Sequence, residues 1–252
     1  MVHERDSDSL DNIPDLTFST PKTPEDKTTG LKLVADILSQ QRSTASKALI
    51  YNPVTLAIWI ASVALLLPFV YRNPATDKPN LAIMVIGMIM CVLAGIRYLV
   101  KPYQDLAEQI NWIWLGDDEM MIAKYGETVI GSCIYRIEFS NGKKGSSSSS
   151  SSNSKRLLIR AWTTRPRERR RGIGRGTLEK VVEIAKQKSC QSVEFAPDEL
   201  RAGSTRLLTQ VDAFGGWFGI NASFDADEQR ARRMLDDVLD ELWVEKRRRG
   251  SR

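Results

Sequence analysis

The chain has 252 residues, 36 of them Lys or Arg against 31 Asp or Glu, giving a formal charge of +5 with 42% hydrophobic and 27% charged residues. That length predicts one or two domains, and the composition excludes collagen-like, disulfide-dense and wholly disordered chains. The mean hydropathy of -0.28 reads as a soluble average. Cys91, Cys133 and Cys190 are widely spaced, no Cys-x-x-Cys pair occurs, and His3 is the only histidine. A disulfide framework, a Cys/His metal site and a His-based catalytic triad are therefore not expected. Acid–base chemistry falls to Glu, Asp, Tyr, Lys or water.

Residues 1–13 are polar and read as a flexible N-terminus without a cleavable signal peptide. Thr23, Pro24 and Asp26 supply an N-cap, an N1 proline and first-turn acidity. They open a helix predicted to run through Leu31, Val34, Ala35 and Leu38. Residues 54–71 and 81–96 follow as two uncharged apolar runs, each close to the length of a membrane span. Tyr51, Tyr71 and Tyr98 lie at their ends, with Arg72, Arg97 and Lys101 bracketing them. The link over residues 72–80, rich in Pro and Asn, is short enough for a hairpin, which leaves both chain ends on one side.

Beyond the spans the charge changes. Residues 1–100 carry nine basic and nine acidic side chains, so the whole positive surplus lies after residue 100. Residues 119–123 and 128–135 flank the turn Lys124-Tyr125-Gly126-Glu127 and predict a β-hairpin. Residues 141–154 are a Ser-rich linker. Residues 156–164 read as a strand, followed by an arginine-rich loop and a helix over 174–188. Leu178, Val181, Val182 and Ala185 make that helix's apolar stripe. A short strand follows at 192–196, and an amphipathic helix occupies residues 225–248. A Gly-rich turn entering a helix offers backbone N–H groups to an anion at the positive end of the helix dipole. The loop is neither a Walker A motif nor a dinucleotide fingerprint. A phosphate cradle and an anionic-lipid or nucleic-acid patch both fit the run at this level.

Arg169-Arg170-Arg171-Gly172-Ile173-Gly174 resembles the Arg/Gln-x-x-Gly-x-Gly/Ala signature of the GCN5-related N-acetyltransferase (GNAT) superfamily. The resemblance implies an α/β (α+β) fold, a mixed sheet flanked by helices, here interrupted by a two-helix transmembrane hairpin. It casts residues 16–21 as the first strand and the 119–135 hairpin as strands two and three. The layout is similar to the two-span membrane-bound N-acetyltransferases of the cysteine-S-conjugate type. The implied organisation is 1–13 flexible, 14–50 first strand and helix, 51–101 hairpin, 102–245 remainder of the domain, and 246–252 a basic tail.

By this resemblance acetyl-CoA is bound by Trp162, Thr163, Arg169, Arg170, Arg171, Gly172, Ile173, Gly174 and Arg175. An acceptor amine or membrane-protein substrate and membrane lipids are the other implied partners; no nucleic acid is expected. The sequence departs from the family at the tyrosine near the start of helix four, where Thr209 is the nearest hydroxyl. It departs again on strand four, which has no Asp or Glu, leaving Glu194 as the candidate base. The residues 225–248 stand as a helix where the family ends in strands; Trp217 to Ile220 is a candidate strand before it. The expected activity is transfer of acetyl from acetyl-CoA to an amine, by an enzyme of the endoplasmic reticulum membrane with both termini cytosolic. The alternative is a GNAT-like binding module with little or no catalysis, such as a membrane chaperone or packaging factor for a transporter.

Overall fold

The computed structural model describes residues 14–70, 78–140, 154–198, 200–202 and 222–249. The chain divides into two compact units, one drawn from residues 1–37, 110–202 and 232–252, the other from 38–109 and 203–231. The elements in order are β1 (Leu16–Ser19), α1 (Pro24–Ile50), α2 (Pro53–Val70), α3 (Lys78–Leu99), α4 (Lys101–Gln109), α5 (Trp112–Leu115), β2 (Glu119–Tyr125), β3 (Thr128–Ser140), β4 (Ser154–Thr164), α6 (Ile173–Gln187), β5 (Ser192–Phe195) and α7 (Ala222–Arg249).

The first unit is built on a five-stranded sheet in the order β1-β2-β3-β4-β5, antiparallel except for the parallel β4–β5 pair. A parallel pair needs a crossover, and α6 supplies it. The stripe anticipated from its sequence is the stripe it buries: Leu178, Val181, Val182 and Ala185 are fully buried against Leu157, Ile159, Cys133 and Tyr135. Each large side chain contributes roughly 1.5–3 kcal/mol by that burial. Leu235 and Val238 of α7 close the same cluster, with Met234, Leu239 and Leu242 packed against it. The mixed sheet with flanking helices is thus the GNAT-like arrangement expected.

Local signals explain most element ends. The N–H of Asp26 donates to Thr23 Oγ1 at 3.2 Å, and Asp26 pairs with Lys124 of β2 at 2.7 Å. Leu31, Val34 and Leu38 are buried, as their spacing predicts. The β2–β3 turn is tighter than expected: β2 runs on through Lys124 and Tyr125, leaving Gly126 and Glu127 as the turn. Gly126 has φ +58, the left-handed region that glycine enters without steric cost. The link between the apolar helices is also shorter than expected. Lys78, Pro79 and Asn80 form the first turn of α3, where a proline costs no helical hydrogen bond.

The second unit holds the apolar helices. No residue of α2 is buried, and Ile58, Ile60, Leu65 and Phe69 are each at least 60% exposed. Helix α2 and the stretch beginning with α3 are long and apolar enough to cross a membrane. A separate cluster of Ala45, Leu49, Ile96, Val100, Tyr103 and Phe224 holds the ends of α1, α3 and α4 to the start of α7. The expected flexible N-terminus, most of the Ser-rich linker, Thr209, the stretch around Trp217 and residues 250–252 lie outside the described residues.

Candidate functional site

The site is assembled where β4 leaves its parallel partner. β5 pairs only with Arg156, Leu157, Leu158 and Ile159, so Arg160 to Thr164 continue without a strand on that side among the described residues. On the other side, Tyr135 pairs with Ile159 and Ile134 with Ala161, leaving Arg160 as the extra residue of a β-bulge. The bulge resets the alternation. Leu157 and Ile159 face the core cluster before it, and Trp162 packs against the same cluster after it.

Trp162 then meets the start of α6. Its indole Nε1–H donates to the Gly174 carbonyl at 3.2 Å, and its ring tilts against Phe195 at 6.4 Å between centroids. A methyl group on Gly174 would stand 2.9 Å from the Trp162 ring and 3.5 Å from Thr164 Oγ1. Only glycine lets the first turn of α6 come this close. The motif's second glycine therefore has a packing reason.

Gly172 has a different one. It is the N-cap of α6 at φ +81 and ψ -8, and no side chain caps the helix. Nothing lies within 4 Å of where its Cβ would be. The switch from left-handed Gly172 to right-handed Ile173 turns successive N–H groups toward one concavity, an anion-binding shape. The first helical bond is from Gly176 N–H to the Gly172 carbonyl at 2.9 Å. The earlier N–H groups of the turn are thus free for a ligand among the described residues. The open space at Gly172 and these donors fit a pyrophosphate. Arg170, at φ +66, adds a second left-handed residue in the loop.

The arginines of the run divide by partner. Arg171 pairs with Glu168 at 2.7 Å, while Arg175 pairs with Glu179 at 2.9 Å and with Glu241 at 2.5 Å. Arg169 Nε donates to the Thr164 carbonyl at 3.4 Å. Arg169 and Arg170 are exposed and in no ion pair among the described residues. Arg165 and Arg167, earlier in the run, are likewise exposed and in no ion pair among the described residues, but Arg169 and Arg170 lie next to the Gly172 turn. Thr163 is half-buried on β4 beside Ser132, while Glu194 is exposed on β5 opposite Leu158. Thr209 lies outside the described residues.

Sequence reasoning missed the support beneath the bulge. The Arg160 side chain is 6% exposed and contacts Asp118, whose side chain is fully buried and also bonds Arg136 at 2.5 Å. Arg160 also donates to the carbonyls of Leu200 at 2.9 Å and Trp114 at 3.1 Å. Its guanidinium lies 4.1 Å over the Trp114 ring. The signal in the sequence is a lone charge inside the apolar strand segment Leu157-Leu158-Ile159-Arg160-Ala161-Trp162.

Nearby titratable groups are held by the core. Burial pushes Tyr135 far above the ordinary phenol range, and Glu119, which accepts from its hydroxyl at 2.9 Å, pushes it further. Burial likewise raises the Cys133 thiol. Neither is poised to give or take a proton near neutral pH.

Comparison with curated proteins gives no match. Among solved structures, the chain is similar to an integron cassette protein from V. cholerae at 19% identity, covering 45% of this chain and 64% of that one with a TM-score of 0.30. It is similar to an aminoglycoside acetyltransferase from an uncultured soil metagenomic sample, solved with sisomicin, at 14% identity, 38% and 55% coverage and a TM-score of 0.27. It is also similar to an acetyltransferase of Trypanosoma brucei at 13% identity, 80% and 92% coverage and a TM-score of 0.35. The chain spans less than two thirds of the length of the first two. Residues 88–211, from within α3 to beyond β5, match the family model for the acetyltransferase (GNAT) family, so that stretch of the chain carries a GNAT acetyltransferase domain.

Proposed function

We propose that this protein is a membrane-anchored N-acetyltransferase of the two-span type, transferring acetyl from acetyl-CoA to an amine. The observation that carries the reading is the uncapped N-terminus of α6 behind left-handed Gly172, beside the stretch of β4 that runs on past its β5 pairing among the described residues. In this role the N–H groups of Ile173, Gly174 and Arg175 donate to the pyrophosphate, and Arg169 and Arg170 balance its charge. Trp162 and Thr163 line the strand edge along which the pantetheine arm lies. Acetyl-CoA supplies the activated acetyl group as a thioester.

The acceptor nitrogen attacks that carbonyl, its N–C bond forms and the C–S bond breaks, leaving acetylated amine and the CoA thiolate. Backbone N–H groups at the β4 edge stabilise the oxyanion, and much of the acceleration comes from holding the two reactants together. Glu194 is the proposed acceptor of the amine proton, and Thr209 is the hydroxyl nearest in sequence to the family's tyrosine proton donor, which this chain lacks. A threonine hydroxyl is a poor acid, so solvent is the expected proton source for the thiolate. α2 and α3 form the membrane anchor, since apolar helices with no buried residue, as in α2, or one, as in α3, are stable in lipid. The endoplasmic reticulum with cytosolic termini is the proposed location. The absence of Asp or Glu from β4 favours a second reading, a GNAT-like binding module of a membrane chaperone with little turnover.

Calorimetric titration of the detergent-solubilised full chain with acetyl-CoA tests the reading. Binding in the micromolar range is expected, lost when Gly172 and Gly174 are replaced by valine in a folded protein. Absence of binding to the unmutated chain overturns it. Binding without acetylation of any amine tested favours the second reading. Glu194→Gln is expected to slow turnover by about 100-fold or more if its carboxylate is the base, with acetyl-CoA affinity unchanged.

A further inference from the structure

Within the second unit, Arg42 of α1, Ala94, Arg97 and Tyr98 of α3, and Lys101 and Gln104 of α4 line a cleft of about 360 Å³. Three cations converge there and no carboxylate lines it. Arg42, Arg97 and Lys101 are in no ion pair among the described residues. The cleft is pre-shaped: an Arg42 Nη1–H donates to Gln104 Oε1 at 2.7 Å, and Gln104 Nε2–H donates to Glu108 Oε1 at 3.1 Å. Glu108, on the same helix, is thereby bonded to Gln104.

Its position matters as much as its charge. Arg97 stands in the last turn of the apolar helix α3, and the adjoining Tyr98 is 78% exposed. An arginine and a tyrosine at the end of a span belong at headgroup depth. The rest of α3 presents Ile83, Ile86, Ile89, Met90 and Leu93 outward, a surface suited to acyl chains. An acid-free cationic cleft directly at the end of such a surface matches a molecule with a phosphate at one end and hydrocarbon at the other.

We propose that this cleft binds the phosphate headgroup of an anionic lipid, a site separate from the acetyl-CoA loop. The inference rests on the membrane-anchor reading. Arg42 and Arg97 offer planar donor forks to the phosphate oxygens, and Lys101 a point charge. Each cation near a membrane surface strengthens anionic-lipid binding about fivefold, so the three together supply on the order of a hundredfold.

The full chain purified in detergent is titrated with dioleoyl phosphatidic acid, dioleoyl phosphatidylcholine and inorganic phosphate, and bound lipid is counted by native mass spectrometry. Phosphatidic acid is expected to bind at least tenfold more tightly than phosphatidylcholine. The triple variant Arg42→Gln/Arg97→Gln/Lys101→Gln is expected to bind both alike. The charge-matched control Lys22→Gln/Lys180→Gln/Arg230→Gln is expected to keep the preference, with circular dichroism checking that both variants are folded. No preference in the unmutated chain, or a preference surviving in the cleft variant, overturns the proposal. Displacement of the lipid by equimolar inorganic phosphate also overturns it, because the site then serves a soluble phosphate. Alkaline carbonate extraction of membranes separates the two readings. Release of the chain to the supernatant removes the anchor and this site together; retention without lipid preference removes this site alone.

Discussion

Gly174→Ala sets two opposite effects against each other at one atom. Alanine is the better helix former by about 1 kcal/mol, so propensity alone predicts a more stable α6. The structure predicts the reverse, because the new methyl group would stand 2.9 Å from the Trp162 ring. Ordinary carbon contacts begin near 3.5 Å, and the indole is tethered by its bond to the Gly174 carbonyl at 3.2 Å. Overpacking of this kind costs about 1–3 kcal/mol, and displacing the indole forfeits a hydrogen bond contributing about 1 kcal/mol. The net loss is about 1–3 kcal/mol, or roughly 3–10 °C in Tm for a chain of this size. Acetyl-CoA affinity is expected to fall about tenfold, since Trp162 and the α6 N–H groups move together. Thermal unfolding of the full chain in detergent, followed by calorimetry with acetyl-CoA, measures both. A raised Tm with unchanged affinity would refute the argument. Gly172→Ala is the contrast: it meets no atom within 4 Å but must hold φ +81, at a cost of about 1–2 kcal/mol.

Asp118→Ala strips the buried Arg160 guanidinium of its carboxylate and is expected to cost about 3–5 kcal/mol by denaturant unfolding. Adding Arg160→Met should recover part of that loss; no recovery would show that the pair is not the cause. Burial alone would raise the Glu119 carboxyl, but bonds from Lys188 and Tyr135 outweigh it and hold it below the ordinary range. Its contribution to stability is therefore present above the ordinary carboxylate pKa and is lost as pH falls through the lower folded value. Glu119→Gln should flatten the stability profile in that acid window, and an unchanged profile would contradict the assignment. Cys133 is fully buried with its thiol raised, so it should resist maleimide until denaturant is added. Cys91 is exposed on α3 and should react in detergent but not with a charged maleimide in intact membranes. Labelling of Cys91 in membranes would count against the anchor.

What the sequence by itself determined is the set of features with local causes. The helix cap at Thr23, the apolar stripe of α6, the two apolar runs and the Gly-x-Gly turn all follow from neighbouring residues and a single period. The loop that carries the proposed site was legible for the same reason: Arg169 to Gly174 is a contiguous motif, and glycine has few competitors at a left-handed N-cap. Tertiary structure decided what depends on distant partners. That Arg175 turns to Glu241 is set by the docking of α7 beside α6, 66 residues away in sequence. That Trp162 faces Gly174 depends on a bulge at Arg160, which one strand cannot reveal because its register exists only against β3. Asp118 reads as an ordinary acidic residue until the fold buries it between two arginines. The convergence of Arg42, Arg97 and Lys101 is of the same kind, since three helices must meet before scattered cations become one cleft.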